Sequence, residues 1–239
     1  MKLDDVKKLH LKKYRTELRH FLVEGEHLAL ELQKAAGTHP ALASSQLYVT
    51  DAYADWASPF PKTLVSSKQM AQLSDTKTPQ GILAVVPFLP PARPQAAERA
   101  IYLHEVQDPG NLGTILRTLA WFGGFRCLLS PGSVDPYNPK VVRSSMGAIF
   151  HVPIELDVSL DQVRQRFPRI ACLDMAGQAV RDASFQAFDC YLFGNEARGV
   201  PRDQLAALSA QPFTIAGGSA IESLNLASAV NICIYELKR

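Results

Sequence analysis

The chain has 239 residues, of which 47% are hydrophobic and 20% are charged. This length suits one large domain or two modest ones, and the apolar fraction is sufficient for a buried core. Because 25 Lys and Arg stand against 23 Asp and Glu, the net charge of +2 excludes neither a nucleic-acid partner nor a small-molecule partner.

The cellular compartment is indicated by the N-terminus and the cysteines. The first residues, MKLDDVKKLH, lack an apolar run, and no stretch of the chain approaches the length of a membrane span. The cysteines lie far apart, mostly among apolar neighbours, and none has CxxC spacing: Cys127, Cys172, Cys190 and Cys233. We interpret them as buried thiols in a reducing compartment, which predicts a cytoplasmic protein without a membrane segment.

The first half of the chain is predicted to form a small α/β domain. A basic helix is expected over about 3–20, then a strand at FLVEG and a helix at EHLALELQKAAG that ends at Gly37. Further strands are predicted at QLYVT, TLVSS and GILAVVPF, with a short helix at KQMAQLS. The four prolines of VPFLPPARPQAAERA indicate a semi-rigid linker. We therefore predict an N-terminal domain over 1–90, a linker over 91–97 and a second domain over 98–239.

Strands and helices alternate through the second domain. Strands are predicted at AIYLHEVQ, FRCLLS, IFHVPIEL, RIACLDM, DCYLFG and PFTIAG, and helices at 112–122, from NPKVV, near SLDQVRQRF, at PRDQLAALS and at 222–238. This alternation predicts an α/β fold with a mostly parallel sheet that is covered on both faces. Ligands of such sheets bind beyond the carboxyl ends of the strands, so the loops after residues 107, 194 and 216 are the candidate sites.

The first candidate loop opens the helix in DPGNLGTILRTLAWFGG. Asn111 is predicted to be the N-cap, and Arg117 shares the polar face of the helix with Thr114 and Thr118. Taken alone, this pattern is a helix cap and a solvated arginine.

The second candidate loop is YLFGNEARGVP. Gly194 ends an apolar strand, where its missing Cβ allows a ligand or a turn close to the backbone, and Glu196 follows. Taken alone, this is an ordinary strand-to-helix loop.

The third candidate segment is TIAGGSAIESLNLASAVNICIYEL. Gly217 and Gly218 offer free backbone N–H groups, and the helix that follows is apolar nearly all round and should be buried. Its predicted first turn carries Glu222, Ser223 and Asn225. Glu222 and Ser223 are explained as caps, whereas Asn225 is expected inside the helix, beyond the capping positions.

Common nucleotide and metal motifs are absent from the sequence. No G-x-G-x-x-G follows a strand and no G-x-x-x-x-G-K-[ST] exists, which argues against Rossmann-type and P-loop proteins. The six histidines have no metal-binding spacing, so no metal is predicted, and His104 is interpreted as a satisfied core or edge residue.

Together and in this order, QDPGNLGTILRT, LFGNEARGV and IESLNLASAVNICIYE resemble the three motifs of the SpoU/TrmH family of RNA ribose 2′-O-methyltransferases, within the SPOUT superfamily. The match covers roughly residues 98–239. The N-terminal segments KKYRTELRHFLVEGEHLALE and TPQGILAVV resemble the ribosomal-protein-like substrate-binding domain of that family. The resemblance implies S-adenosylmethionine (AdoMet) as cofactor, a deep trefoil knot in the catalytic domain, and a homodimer with the working site at the subunit interface.

The resemblance also implies site residues. The catalytic positions are Asn111, Arg117, Glu196, Ser223 and Asn225. The cofactor-binding positions are Gly194, Asn195, Glu196, Ile215, Gly217, Ser223 and Leu224. The resemblance implies Arg117 either as the general base, as proposed for the family, or as the group that holds a substrate phosphate. We favour the second role, because a guanidinium fork matches phosphate oxygens and is a poor base. Ala216 and Ser219 depart from the family pattern of proline and glycine, which bears on cofactor placement.

Residues 7–20 form a basic segment that would ordinarily be a solvated helix face. Attached to such a catalytic domain, it is interpreted as a track for RNA phosphates. The predicted RNA contacts are Lys7, Lys8, Lys12, Lys13, Arg15 and Arg117. Ribosomal RNA is the favoured substrate because minimal transfer-RNA members of the family often lack the extra N-terminal domain. A transfer-RNA methyltransferase of the same family and a non-catalytic RNA-binding or ribosome-assembly module are the alternatives.

Overall fold

The computed structural model describes residues 1–95, 97–218 and 223–239. The chain divides into two compact units, each with its own sheet. The first unit contains Met1–Pro90 and Asp135–His151, and the second contains Pro91–Val134 and Val152–Arg239. The segment 135–151 therefore packs with the N-terminal residues, although the sequence prediction places it in the second domain.

The first unit is built on a mixed sheet. Its helices in the N-terminal part are α1 (Leu3–Lys8), α2 (Lys12–Leu18), α3 (Glu26–Ala36) and α4 (Ser67–Leu73). Its strands are β1 (His20–Glu24), β2 (Gln46–Val49), β3 (Lys62–Leu64) and β4 (Ile82–Pro87), in the order β1-β4-β2-β3 within the described residues. Strand β4 pairs antiparallel with β1 and β2, and β2 pairs parallel with β3.

The basic helix predicted over 3–20 is two helices. Leu11 adopts an extended conformation between α1 and α2, with φ of −99° and ψ of 129°. This break lets Val6 and Leu9 pack into a buried cluster with Tyr48 and Met70. Burial of these apolar side chains outweighs continuation of one exposed helix.

The second unit is built on a parallel sheet. Its strands are β5 (Arg99–Leu103), β6 (Phe125–Leu129), β7 (Ile154–Glu155), β8 (Ile170–Ala179), β9 (Cys190–Phe193) and β10 (Gln211–Thr214). Their order is β10-β8-β9-β5-β6-β7, and every pairing between them in the described part of the chain is parallel. The predicted α/β fold with a parallel sheet is therefore confirmed, whereas the trefoil knot remains a prediction.

Helices cover this sheet in two pairs. They are α5 (Pro109–Phe122), α7 (Leu160–Arg166), α8 (Arg202–Leu208) and α9 (Leu226–Lys238). Helices α7 and α8 surround a cluster that includes Tyr102, Leu128 and Leu192 of the central strands. Helices α5 and α9 pack against each other. No helix among the described residues is long and apolar enough to cross a membrane.

The strand predicted at IFHVPIEL is mostly irregular. Residues Ala148–Phe150 form a 3-10 turn, and the strand is reduced to Ile154–Glu155. Pro153 precedes this short strand and cannot donate a ladder hydrogen bond. The predicted burial of the cysteines is confirmed, because all four are free and buried.

Segment 135–151 carries α6 (Pro139–Ser145), which packs on β1 in the first unit. The Arg15 guanidinium donates two hydrogen bonds to Asp135 Oδ2, at 2.9 and 2.6 Å. The Tyr137 ring stacks on Phe88, with 4.0 Å between the ring centroids. These contacts attach a late segment of the chain to the N-terminal sheet.

Candidate active site

Three loops meet beyond the carboxyl ends of strands in the second unit. They follow β5, β9 and β10, and they are the loops that the sequence singles out. Between them lies a cavity of about 490 Å³. It is lined by Gln107, Asp108, Asn111, Asn195, Glu196, Ala197, Ser223, Leu224, Asn225 and Leu226. Glu222 and Ser219, which the sequence also names, lie outside the described residues.

Asn225 caps helix α9. Its Oδ1 accepts hydrogen bonds from the backbone N–H groups of Ala227 and Ser228, at 2.9 and 3.3 Å. The expectation that Asn225 lies inside the helix is therefore wrong, since the helix begins at Leu226 rather than 222. The cap uses the side-chain oxygen of Asn225, and its amide nitrogen remains available as a donor.

Asn111 is not the N-cap of α5. Asp108 has that role, and its Oδ1 accepts from the Asn111 N–H at 2.8 Å, with Pro109 at the first helical position. The sequence DPGN indicates this cap, because proline favours the first position of a helix and the residue before it, Asp108, is then the N-cap. The Asn111 side chain is consequently available for other partners.

A hydrogen-bonded chain connects three of the predicted catalytic residues. Asn225 Nδ2 donates to Asn111 Oδ1 at 2.9 Å, and Asn111 Nδ2 donates to Glu196 Oε1 at 3.2 Å. The direction of this chain is fixed at both ends, because Asn225 Oδ1 accepts from the helix cap and an ionised Glu196 can only accept. The chain therefore aligns two amides and one carboxylate across the three loops.

Glu196 is also bound by a residue that the sequence analysis missed. The Gln107 backbone N–H donates to Glu196 Oε2 at 3.4 Å. No side-chain pattern could have signalled this contact, because it uses the main chain. Its effect is to hold both carboxylate oxygens of Glu196 at the cavity.

The loop that carries Glu196 is closed on itself. Asn195 and Gly199 exchange two backbone hydrogen bonds, of 3.1 and 2.8 Å. A Cβ on Gly194 would lie 2.6 Å from the Gly199 carbonyl carbon. Of the two explanations for this glycine, the structure therefore supports the tight turn.

The Asn195 side chain is committed to the protein itself. It is 7% exposed, its Nδ2 donates to the Glu105 carbonyl at 2.8 Å, and its Oδ1 accepts from the N–H groups of Ala197 and Arg198. Asn195 thus shapes the loop through its amide. These contacts use both acceptor positions of Oδ1 and one of the two hydrogens on Nδ2, so most of the side-chain amide is bound within the protein.

The remaining predicted cofactor residues fall into two groups. Ser223 and Leu224 are exposed and line the cavity. Ile215 and Gly217 are not among the described residues that line it, and no described residue lies within 4 Å of the Cβ position at Gly217. The described part of the chain therefore leaves space for a ligand beside Gly217.

Arg117 is not among the described residues that line the cavity. It is exposed, nearly two helical turns from Asn111. Thr118, predicted on the same polar face, is instead 8% exposed and donates to the Thr114 carbonyl. The predicted polar face of α5 is consequently narrower than the sequence indicated.

His104 lies in a different cavity of about 410 Å³, beside Tyr102, Ser130 and residues of α7 and α8. Burial lowers the pKa of His104, and its Nδ1 is buried without a hydrogen-bond partner in the part of the chain that the structure describes. The interpretation of His104 as a satisfied residue is therefore wrong. No group of three His, Cys, Asp or Glu side chains among the described residues could hold a metal.

The predicted RNA contacts in the first unit have different environments. Lys7 and Lys8 lie near Asp4 and Asp5, at 3.6 and 2.9 Å. Lys12 and Lys13 are exposed on α2. All four ammonium groups can therefore reach solvent.

Arg15 is a structural residue. It is 3% exposed and donates to Asp135 and to the carbonyl groups of Leu9 and His10. Its assignment as an RNA contact is corrected, because a guanidinium that is buried and hydrogen-bonded inside the unit is not available to a phosphate.

Comparisons with known proteins agree with this geometry. The model of the SpoU rRNA Methylase family matches residues 98–235, and the MRM3-like substrate binding domain matches residues 2–84. The chain is 31% identical over 242 residues to the 23S rRNA (guanosine(2553)-2′-O)-methyltransferase RlmP of Bacillus subtilis, covering 99% of this chain and 96% of that protein.

Two solved structures share the fold over nearly the whole chain. One is a TrmH-family RNA methyltransferase from Porphyromonas gingivalis, with a TM-score of 0.83, 30% identity and coverage of 99% of this chain and 96% of that one. The other is an AdoMet-bound rRNA methyltransferase from Sinorhizobium meliloti, with a TM-score of 0.82, 27% identity and coverage of 98% and 93%. The resemblance stated from the three motifs is thus confirmed, and the chain belongs to the SpoU rRNA methylase family.

Proposed function

We propose that this chain is an AdoMet-dependent methyltransferase that methylates a ribose 2′-hydroxyl of RNA, with ribosomal RNA as the substrate class. The observation that carries the proposal is the chain of hydrogen bonds from Asn225 through Asn111 to Glu196, where the three motif loops meet. The family membership and the rRNA activity named for the Bacillus subtilis relative support it.

The cavity has groups that suit a sulfonium cofactor. The carboxylate of Glu196 lies at the cavity, and Asp108 also contributes to its lining. Negative charge there favours a cationic ligand. The residues proposed to hold AdoMet are Gly194, Asn195, Glu196, Ile215, Gly217, Ser223 and Leu224, with Asn195 acting through the shape of its loop. AdoMet, when bound, supplies an activated methyl group.

The residues of the chain have to orient the acceptor hydroxyl. Asn111 binds Glu196 and is itself held by Asn225. The three polar side chains are therefore already in position at the cavity before the substrate binds. Ser223 lines the same cavity. Arg117 holds a phosphate of the substrate, because its guanidinium is exposed and matches phosphate oxygens.

We further propose that the enzyme is a homodimer formed through the exposed faces of α5 and α9. Trp121 on α5 is 85% exposed, and Ile232 and Tyr235 on α9 are 37% and 57% exposed. Large apolar side chains at this exposure favour a partner. A second copy of the chain would then cover the exposed face of α9, as the apolar sequence of this helix predicts. Arg117 would contribute to the site that the two copies share.

The RNA is proposed to bind along four lysines of α1 and α2. Lys8, Lys12 and Lys13 are exposed, and Lys7 is half-buried. The functional division is proposed as an RNA-binding domain over 1–90, a linker over 91–97 and a catalytic domain over 98–239. The protein is proposed to act in the cytoplasm.

Ribosomal RNA is favoured over transfer RNA by the extent of the matches. The solved structure that concerns methylation of C/U34 on tRNA covers 58% of this chain, whereas the Bacillus subtilis rRNA methyltransferase covers 99%. The N-terminal unit therefore has its counterpart in the rRNA enzyme.

The proposal is tested by incubating the protein with labelled AdoMet and separated rRNA and tRNA fractions from cells that lack it. Alkali-resistant linkages in rRNA are the expected product, because a methylated 2′-hydroxyl cannot attack the adjacent phosphate. Labelled tRNA alone would favour the transfer-RNA alternative. Cofactor binding without transfer to any RNA would favour the non-catalytic module.

A further inference from the structure

Glu105 adopts an uncommon backbone conformation two residues after the end of β5. Its φ is 48°, in the left-handed region that residues with a Cβ seldom occupy. Such a conformation costs free energy and persists where the surrounding structure holds it. The contacts of Glu105 show what holds it.

The main chain and the carboxylate of Glu105 both make hydrogen bonds. Its N–H donates to Ser130 Oγ at 2.7 Å, and its carbonyl accepts from Asn195 Nδ2 and Gln107 Nε2 at 2.8 and 2.9 Å. Its carboxylate accepts from Arg198 Nη2 at 2.7 Å. Glu105 therefore contacts the loop 195–199 twice, once through its main chain and once through its side chain.

The two contacts lie on either side of Glu196. Asn195 precedes Glu196 and Arg198 follows it by two residues. Between these anchors the backbone is closed by the hydrogen bonds of Asn195 with Gly199. Displacement of either anchor would move the Glu196 carboxylate relative to Asn111, whose amide is 3.2 Å away.

We infer that Glu105 and Arg198 form a positioning ion pair that sets the conformation of loop 195–199 and hence the placement of the Glu196 carboxylate. This inference rests on the proposed function for its catalytic consequence. The pair is partly exposed, with side-chain exposures of 37% for Glu105 and 72% for Arg198. Exposed ion pairs contribute little to overall stability, so its principal effect is local.

The test compares Glu105→Gln and Arg198→Gln with a matched control. Asp189→Asn removes another partly exposed ion pair of the same unit, Arg169 with Asp189 at 2.8 Å, away from the cavity. We expect kcat for methyl transfer to fall by about tenfold or more in the first two variants, with wild-type kcat in the control. Wild-type kcat in both pair variants would overturn the inference.

Coupling to Glu196 separates positioning from a general structural effect. In a Glu196→Gln background, adding Glu105→Gln should cause no further loss of single-turnover rate, because the carboxylate that it positions is gone. A full multiplicative loss in that background would contradict the inference.

Backbone conformation and ion pairing are separated by Glu105→Gly. Glycine accepts the positive φ without strain but provides no carboxylate. We expect this variant to lose activity as Glu105→Gln does. Full activity would show that only the backbone conformation matters and would refute the ion pair.

A readout without activity keeps the inference testable if the proposed function fails. The amides of Ala197 and Arg198 both donate to Asn195 Oδ1. By NMR, their hydrogen exchange should become about tenfold faster in Glu105→Gln and stay unchanged in Asp189→Asn. Unchanged exchange in Glu105→Gln would overturn the inference. If the wild type transfers no methyl group but these amides exchange faster in Glu105→Gln, the result would count only against the enzyme assignment.

Discussion

The side-chain amide of Asn225 donates a 2.9 Å hydrogen bond to Asn111 Oδ1, which joins the beginnings of α9 and α5. At the other end of these helices, the Lys238 Nζ atom lies 3.2 Å from the point where a Cβ on Gly124 would be. The two helices therefore run parallel, and their positive ends lie at the cavity that Glu196 also lines. This arrangement gives Asn225 two separable roles, one in capping and one in the site.

Asn225→Asp and Asn225→Ala should separate these roles. Aspartate keeps a capping oxygen but loses the amide donor to Asn111, so we expect near wild-type stability with reduced methyl transfer. Alanine loses the cap as well, and unfolding should become easier by about 1 kcal/mol. Urea denaturation and methyl-transfer rates measure the two effects. Equal stability of the two variants would contradict a capping role for Asn225.

The sequence predicted the parallel sheet and the meeting of three loops because apolar strands and their ends leave strong local signals. The positions of Asn111 and Asn225 within their helices were predicted incorrectly, since an asparagine near a helix start fits several capping positions equally well. Gln107 was missed because it contacts Glu196 through its main chain, and Glu105 was missed because its ion-pair partner Arg198 is 93 residues away. The burial of Arg15 was missed for the same reason, since its partner Asp135 is 120 residues away.

Arg117→Ala should abolish methyl transfer while sparing cofactor affinity. The side chain is exposed and is not among the described residues that line the cavity, so the free energy of unfolding should change by no more than about 0.5 kcal/mol. Calorimetric titration with AdoMet and a methyl-transfer assay check the two statements. Arg117→Lys should restore only part of the activity, because an ammonium lacks the planar fork. Full turnover by the alanine variant would remove Arg117 from the site.

The proposed dimer should dissociate when charge is placed on its apolar face. Tyr235→Asp combined with Ile232→Asp is expected to convert a dimer to a monomer in light scattering, because burial of two carboxylates without partners is costly. Leu64→Asp, at a position that is 60% exposed in the first unit, is the matched control and should leave the mass unchanged. A wild-type protein that is monomeric would contradict the proposed dimer directly.

Four lysines of α1 and α2 should determine the salt dependence of RNA binding. Replacing Lys7, Lys8, Lys12 and Lys13 by Gln removes four cations. The slope of log K against log salt concentration is negative, and it should become less steep by about 0.7 for each RNA phosphate that is no longer neutralised. Filter-binding titrations over a series of salt concentrations measure this slope. Lys68→Gln, at an exposed position of α4 in the same unit, serves as the control. An unchanged slope in the fourfold variant would refute the proposed RNA track.

The cysteines should be unreactive in the folded protein. Burial raises the pKa of Cys127 to about 12 and that of Cys172 to about 11, and it also raises the pKa of Cys190 and Cys233. The thiolate is the reactive form, so an aromatic disulfide reagent at about pH 8 should label the thiols only on unfolding, when the pKa returns to about 8.5. Rapid labelling of the native protein would contradict this burial.

The attachment of segment 135–151 to the N-terminal sheet means that neither half of the gene encodes a self-sufficient piece. A fragment cut at the proline-rich stretch would carry α6 without the strand on which it rests, and the remaining fragment would expose Arg15 without Asp135. Recombination that exchanged recognition modules at that junction would therefore yield two incomplete proteins. A viable exchange would have to transplant residues 135–151 together with the N-terminal unit.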